Sequence, residues 1–232
     1  WPSIHSDHWD PFWQACSDEQ VVVCMHIGSS SSLVITSPDA PIDCLITLTP
    51  INIVQAATDI IWSGVLSRFP DLRIALSEGG IRWIPYFLER IDYQYRQHHF
   101  WTGQDFGDRM PSEVFSERVL TCFIDDRFGV ANRRSLNMDN VMWECDYPHS
   151  DSTWPFSPEQ VAEHFVGDVS DHDIDRITHL NAMKHFSFDP FPTQGGRENC
   201  TVGARRARAA GHDVAIRSVR PDMVGQHASR AV

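Results

Sequence analysis

The sequence predicts an α/β fold built on a parallel sheet, and three observations carry the prediction. Four short runs, Val21 to His26, Arg73 to Glu78, Leu120 to Asp125 and Val141 to Asp146, have strand character. They are almost continuously apolar, without polar alternation, as strands covered on both faces are. Helical patterns separate them, and each run ends in a polar residue able to do chemistry.

In chain order, the first helix is expected from Pro11 to Gln20, with Asp10 as a capping residue and proline at the first helical position. After the first strand the run Ser29 to Ser32 reads as a mobile loop. Ile51 to Arg68 follows as one helix, with Ile53, Ala57, Ile60, Ile61 and Gly64 along one face, until Pro70 forbids continuation. The second strand leads into a helix from Ile81 to His98, with Ile84, Phe87, Leu88 and Ile91 apolar. A short helix, Gly129 to Leu136, follows the third strand and is capped by Asp125 or Asp126. Beyond the fourth strand come helices over Pro158 to Val166 and Asp171 to Phe186, the latter capped by Ser170.

Such alternation builds either a doubly wound sheet or a closed (β/α)8 barrel. No glycine-rich phosphate-binding loop follows any strand, which counts against a nucleotide-binding doubly wound sheet. In a barrel, catalytic groups sit at the C-terminal strand ends, where His26, Glu78, Asp125 and Asp146 fall. Four strands alone would leave two bare edges, so a pairing partner is missing. The chain also begins at Trp1, not Met, and reads as a piece of a longer protein.

The 232 residues suffice for one sizeable domain, and 42% are hydrophobic. No window approaches about 18 consecutive apolar residues and no secretory pattern opens the chain, so a cytoplasmic protein without a membrane span is expected. The six cysteines form no Cys-x-x-Cys pair and read as reduced, mostly buried thiols. A net charge of -12 argues against nucleic acid as a partner. From Thr193 onward seven arginines face three acids, leaving -16 on residues 1–192. The Pro/Gly-rich stretch Asp189 to Arg197 marks a boundary, with a body of residues 1–192 and an Arg-rich tail of 193–232 that is solvated or lies over the acidic body.

A histidine and carboxylates at neighbouring strand ends, with no nucleophilic Ser or Cys motif, suggest a metal site, because imidazole and carboxylate together suit zinc, manganese or iron. The residues alone leave a blander account open: a hydrogen-bonded structural histidine, and an aspartate that caps the next helix.

Three segments bear on this choice: Val23-Cys24-Met25-His26-Ile27-Gly28, Phe69 through Gly80, and Asn140-Val141-Met142-Trp143-Glu144-Cys145-Asp146-Tyr147-Pro148-His149. They resemble the fifth, sixth and eighth strands of the amidohydrolase-related family, which includes aminocarboxymuconate semialdehyde decarboxylase-like and resorcylate decarboxylase-like enzymes. The resemblance runs from about His8 to Phe191. It implies the second half, strands five to eight, of a metal-dependent TIM barrel, with His26 as a metal ligand and Asp146 as a ligand that also shuttles protons. It implies a divalent ion, zinc first with manganese or iron as alternatives, and a small carboxylated or cyclic substrate that is decarboxylated or hydrolysed. Relatives are often dimers, so a homodimer is a further expectation.

The chain departs from the family pattern twice. The His-x-His or Glu-x-His pair of the first strand is absent, and His5 and His8, ahead of a helix, are poor substitutes. Where many relatives carry His-Gly-Gly, this chain has Glu78-Gly79-Gly80, so Glu78 stands as a third ligand or proton acceptor, or else pairs with an arginine at the rim. Gly79 and Gly80 would let the backbone pass close to metal or substrate. His149, Trp83 and His8 are candidate pocket residues, with aromatic packing as the blander role for the tryptophan. A rival to the enzymatic reading is a non-catalytic fragment that lacks the first ligands.

Overall fold

A computed structural model describes residues 1–29, 34–167 and 169–213. It contains one four-stranded parallel sheet of β1 (Val22–His26), β2 (Arg73–Ser77), β3 (Val119–Phe123) and β4 (Val141–Trp143), paired in sequence order. Val22 lies opposite Arg73, Ile74 opposite Val119 and Thr121 opposite Val141. A doubly wound sheet reverses its strand order; this one does not, and its arrangement is that of an arc of a (β/α)8 barrel.

The alternating side chains divide the sheet into two unequal faces. Ile74, Leu76, Val119, Phe123 and Val141 join the main core with the helices. Ala75, Leu120, Cys122 and Met142 form a smaller cluster on the other face, with Val22 and Ala182 packed against it. Every residue of β3 is buried, whereas β1 is half exposed and has no partner on its outer side among the described residues.

The helices form because their apolar residues recur at three- and four-residue spacing. α1 (Asp10–Asp18) buries Trp13 and Cys16; Asp10 occupies its first turn and pairs with Arg68 at 3.0 Å instead of capping it. α3 (Asn52–Trp62) buries Ile53, Ala56, Ala57, Ile60 and Ile61, and each fully buried isoleucine contributes about 1.5–3 kcal/mol. The single helix expected from Ile51 to Arg68 is broken. Gly64, at φ +72°, adopts a backbone conformation that a glycine takes without strain, and the four-residue α4 (Val65–Arg68) starts anew behind it.

α2 (Ile42–Leu48), a helix that no expected element covers, has no buried residue. Together, Ile42–Trp62 is long and apolar enough to cross a membrane by length and composition, with a mean hydropathy of 1.5, despite its interspersed polar residues. In this fold it is α2, a 3-10 turn and α3, whose apolar face lies in the core.

α5 (Ile84–Thr102) buries Ile84, Phe87 and Ile91 and ends at Gly103. α6 (Pro111–Arg118) starts with proline, and Glu113 reaches back to accept the Met110 N–H at 2.6 Å. α7 (Arg127–Ala131) and a 3-10 turn replace the expected Gly129 to Leu136 helix. α8 (Ser157–Ala162) is followed by a run from α9 (Asp171–Asp175) through a π-helical segment, Arg176–Leu180, to α10 (Asn181–His185). Ser170 caps α9 at Asp173 N, and the Asn181 side chain donates to the carbonyls of Met138 and Val141, docking this run on β4.

Beyond residue 192, α11 (Val202–Arg208) and its lead-in face the acidic body through Arg197–Asp175 and Arg206–Glu159. The rest of the tail, 214–232, and three of the four residues of the Ser29 to Ser32 loop lie outside the described residues. All six cysteines are free, but only Cys16 and Cys122 are buried; Cys24 is exposed.

Candidate metal and proton-transfer site

The C-terminal ends of β1, β2 and β4 bring His26, Glu78 and Asp146 together. His26 ends β1, and its Nδ1 stands 2.7 Å from the Ile27 carbonyl, which can only accept; Nδ1 therefore carries a proton. That leaves Nε2 to face Glu78 Oε1 at 2.7 Å. The rim-arginine alternative for Glu78 is thereby replaced: its partner is the histidine. Asp146 neighbours Glu78, and a second carboxyl beside it favours the protonated form of Glu78. Burial, set against the His26 contact and reinforced by the neighbouring Asp146, raises the Glu78 pKa. The His26 pKa is raised as well, first by the Ile27 carbonyl and then, against desolvation, by Glu78 and Asp146.

Glu78 and Asp146 are the two site residues held at positive φ, +64° and +55°. Such backbones are strained for residues with a Cβ and persist only when their surroundings fix them. Glu144 does part of the fixing at Glu78. Its Oε1 accepts the Glu78 N–H at 2.6 Å, and burial with the charges of Glu78 and Asp146 raises its own pKa to about 7, against that hydrogen bond. Glu144 is not among the site residues expected from the sequence. The available signal was its spacing, since two residues before Asp146 on an extended chain puts both carboxylates on one face.

Asp146 Oδ2 is buried without a hydrogen-bond donor, although His149 Nδ1 stands 3.1 Å away, off the direction such a bond requires. His149 thus joins the group as a rim histidine, mostly exposed. Trp83 does not join it. Its indole N–H donates to the Gly79 and Gly80 carbonyls and its ring packs edge-on to Phe87, which is the aromatic-packing role. His8 stands edge-on to Trp9, and no contact links it to the group; His5 pairs with Asp59.

The glycines after Glu78 serve a different close approach from the one expected. A Cβ on Gly79 would lie 2.2 Å from Ile53 Cγ2, and one on Gly80 would lie 3.0 Å from Asp126 Oδ2. The backbone is pressed against the core and against a carboxylate. Asp126 is fully buried; it caps α7 through Gly129 N and accepts the N–H groups of Ile81 and Arg82, both at 2.8 Å. Of the two candidate caps it is therefore Asp126 that acts, while Asp125 pairs with His164 at 2.9 Å.

The donors fit a divalent ion in kind. A histidine whose Nδ1–H is tied to a carbonyl offers Nε2 for coordination, and Asp146 Oδ2 is a buried oxygen lacking a donor. As a set they are incomplete: among the described residues no group of three or more His, Cys, Asp or Glu is arranged to hold a metal ion.

Comparison with known proteins fits this architecture. The Amidohydrolase family pattern matches residues 1–188, and the chain belongs to that family. Its fold is the TIM-barrel type of that family, present as a partial barrel. Among solved structures it is similar to an amidohydrolase from Mycobacterium avium subsp. paratuberculosis K-10, with a TM-score of 0.66, 21% identity, and coverage of 79% of this chain and 47% of the other. It is also similar to 5-carboxyvanillate decarboxylase from Sphingomonas paucimobilis, with a TM-score of 0.60, 21% identity and coverage of 81% and 56%. A dihydroxybenzoic acid decarboxylase from Polaromonas sp. JS666, solved with bound manganese and 2-nitroresorcinol, gives 0.55, 17%, 80% and 55%. The chain thus spans about half the length of these proteins. No curated protein matches it.

Proposed function

We propose that this chain carries the proton-transfer half of a metal-dependent carboxy-lyase acting on a small carboxylated, hydroxylated ring. The observation behind the reading is the convergence of His26, Glu78 and Asp146 on one rim of a parallel sheet, where burial favours the protonated form of Glu78. His26 Nε2, Asp146 and Glu78 would supply part of the ligand set of a zinc or manganese ion, completed by ligands beyond these three; such an ion, when bound, orients a substrate oxygen and draws charge from it. Asp146, largely buried beside Glu78, passes a proton to the ring carbon as the bond to the carboxylate breaks; the electron pair of that bond takes up the proton and CO2 departs. Glu78 and His26 then return a proton to Asp146 from the rim. The decarboxylases of the same fold support the lyase over a hydrolase, in which Asp146 would instead take a proton from attacking water.

A second reading is favoured by the incomplete donor set: the chain is a half-site, without activity unless further ligands complete it. The test is to supply Mn2+ or Zn2+, then follow CO2 release from 5-carboxyvanillate and 2,6-dihydroxybenzoate beside hydrolysis of an aryl ester and a lactone. CO2 release that is lost in Asp146→Asn supports the lyase, and hydrolysis without CO2 overturns it. Stoichiometric metal binding with no turnover of any substrate favours the half-site.

A further inference from the structure

His164, just past α8, is a buried imidazole with more partners than one protonation state can satisfy. Its side chain is 1% exposed, and its ring packs 5.7 Å from that of Phe123 on β3. Nδ1 stands 2.9 Å from the Gln160 carbonyl, which can only accept, so Nδ1 carries a proton. Nε2 then has one in-plane position and two claimants, both at 2.9 Å. The Asp126 N–H can only donate to it, whereas Asp125 Oδ1, when ionised, can only accept from it. A neutral ring satisfies the first and a charged ring the second; neither satisfies both.

The contested peptide leads to the candidate site. The carbonyl of Asp125, on the same peptide unit as the Asp126 N–H, accepts from Arg82 Nη2 at 3.4 Å. The fully buried Asp126 carboxylate accepts the Ile81 and Arg82 N–H groups at 2.8 Å and pairs with Arg82 Nε at 3.0 Å. One peptide plane is thus held by His164 on one side and by the turn that carries Glu78 on the other.

We propose that His164 is a proton-operated positioning residue for the Glu78 turn. With the ring neutral, Nε2 accepts the Asp126 N–H and the peptide is clamped, while the Asp125 carboxylate, 70% exposed, is left to water. When Nε2 takes up a proton, its N–H turns to Asp125 Oδ1 in a charge-assisted bond and confronts the Asp126 N–H, which loses its acceptor inside the protein. The peptide rotates away and pulls on the Asp126 carboxylate, and through it on Ile81 and Arg82. The other charges beside the ring are engaged, Arg127 with Glu163 and Asp126 with Arg82, which leaves Asp125 as its ionic partner. The device regulates the site proposed above and rests on that reading only for its effect on chemistry. Its motion needs neither metal nor substrate.

The test is an NMR titration of the isotope-labelled full chain, free of metal, across about pH 5 to 8, where imidazoles change charge. Glu144 is replaced by glutamine throughout, because its own pKa, raised to about 7, would otherwise be read at Glu78. At the upper end the ring should carry its one proton on Nδ1. As it takes up the second, the Asp126 amide should shift with the same midpoint and carry the Ile81 and Arg82 amides with it. Asp126 should also exchange its hydrogen at least ~10-fold faster than the intrinsic pH trend allows. His164→Gln, whose amide oxygen accepts the Asp126 N–H at every pH, should abolish these responses; His164→Leu, with no acceptor, should show the fast exchange throughout. A ring protonated on Nε2 at the upper end overturns the proposal, as does one that keeps a single state over the whole range. An Asp126 amide indifferent to the ring, or responses that persist in His164→Gln, overturn it equally. Absence of CO2 release beside an intact coupled titration would count against the carboxy-lyase reading alone.

Discussion

Replacing Glu144 with glutamine should make the protein more stable, and increasingly so as pH rises. Glu144 is largely buried beside Glu78 and Asp146, and its pKa is raised from 4.5 to about 7. A raised carboxyl pKa means that the folded protein keeps a proton the unfolded chain has released, so the stability it confers is fully present below pH 4.5 and is lost as pH climbs through 7. The gap of about 2.5 units at ~1.4 kcal/mol each makes the ionised side chain cost about 3 kcal/mol once pH exceeds 7. Glutamine keeps an oxygen for the Glu78 N–H and never ionises. Urea unfolding of both proteins in chelator-treated, metal-free buffer should therefore give curves that differ by less than about 1 kcal/mol at pH 5 and by about 3 kcal/mol at pH 8, glutamine being the more stable. A difference that is constant with pH, or that favours glutamate at pH 8, would refute the placement of this carboxyl in a buried, acid-crowded site.

Asp126→Ala removes the acceptor of three backbone N–H groups and a contact to Arg82, and should cost about 4 kcal/mol in chemical denaturation; Asp126→Asn should cost less, because its oxygen can still accept. Gly79→Ala should destabilise by about 1–3 kcal/mol through its clash with Ile53, and Ile53→Ala introduced with it should recover part of the loss, measurable as a double-mutant cycle. Asp146→Asn and His26→Ala should each weaken Mn2+ binding by about 10–100-fold in calorimetric titration, whereas Trp83→Phe, which loses only bonds to the Gly79 and Gly80 carbonyls, should leave it within about threefold.

The strands were legible because an apolar run ending in His26, Glu78 or Asp146 carries its own boundary, and sequence order gave the order in the sheet. Less visible were features set by tertiary contact. Gly64 fits a helical face by spacing, but its positive φ ends one helix and begins another. The exposed α2 has no buried stripe from which periodicity could mark it. At the site, strand-end position marked His26, Glu78 and Asp146 as candidates because it survives in one dimension, while the metal role given to them came from the resemblance and not from residue type alone. The Glu78–His26 pairing, the Glu144 bond to the Glu78 N–H and the Asp126 bonds to Ile81 and Arg82 depend on partners 44 to 66 residues away and became visible only in three dimensions.

The turn that carries Glu78 is moored from both sides, by Glu144 at its first residue and by Asp126 at Ile81 and Arg82. Because every one of these donors is a backbone N–H, the side chains at 78, 81 and 82 can change without cutting a mooring, provided none becomes proline. Substitution at 126 or 144 is what would release the turn, so those two distant carboxylates constrain its path while leaving its side chains open to new specificities.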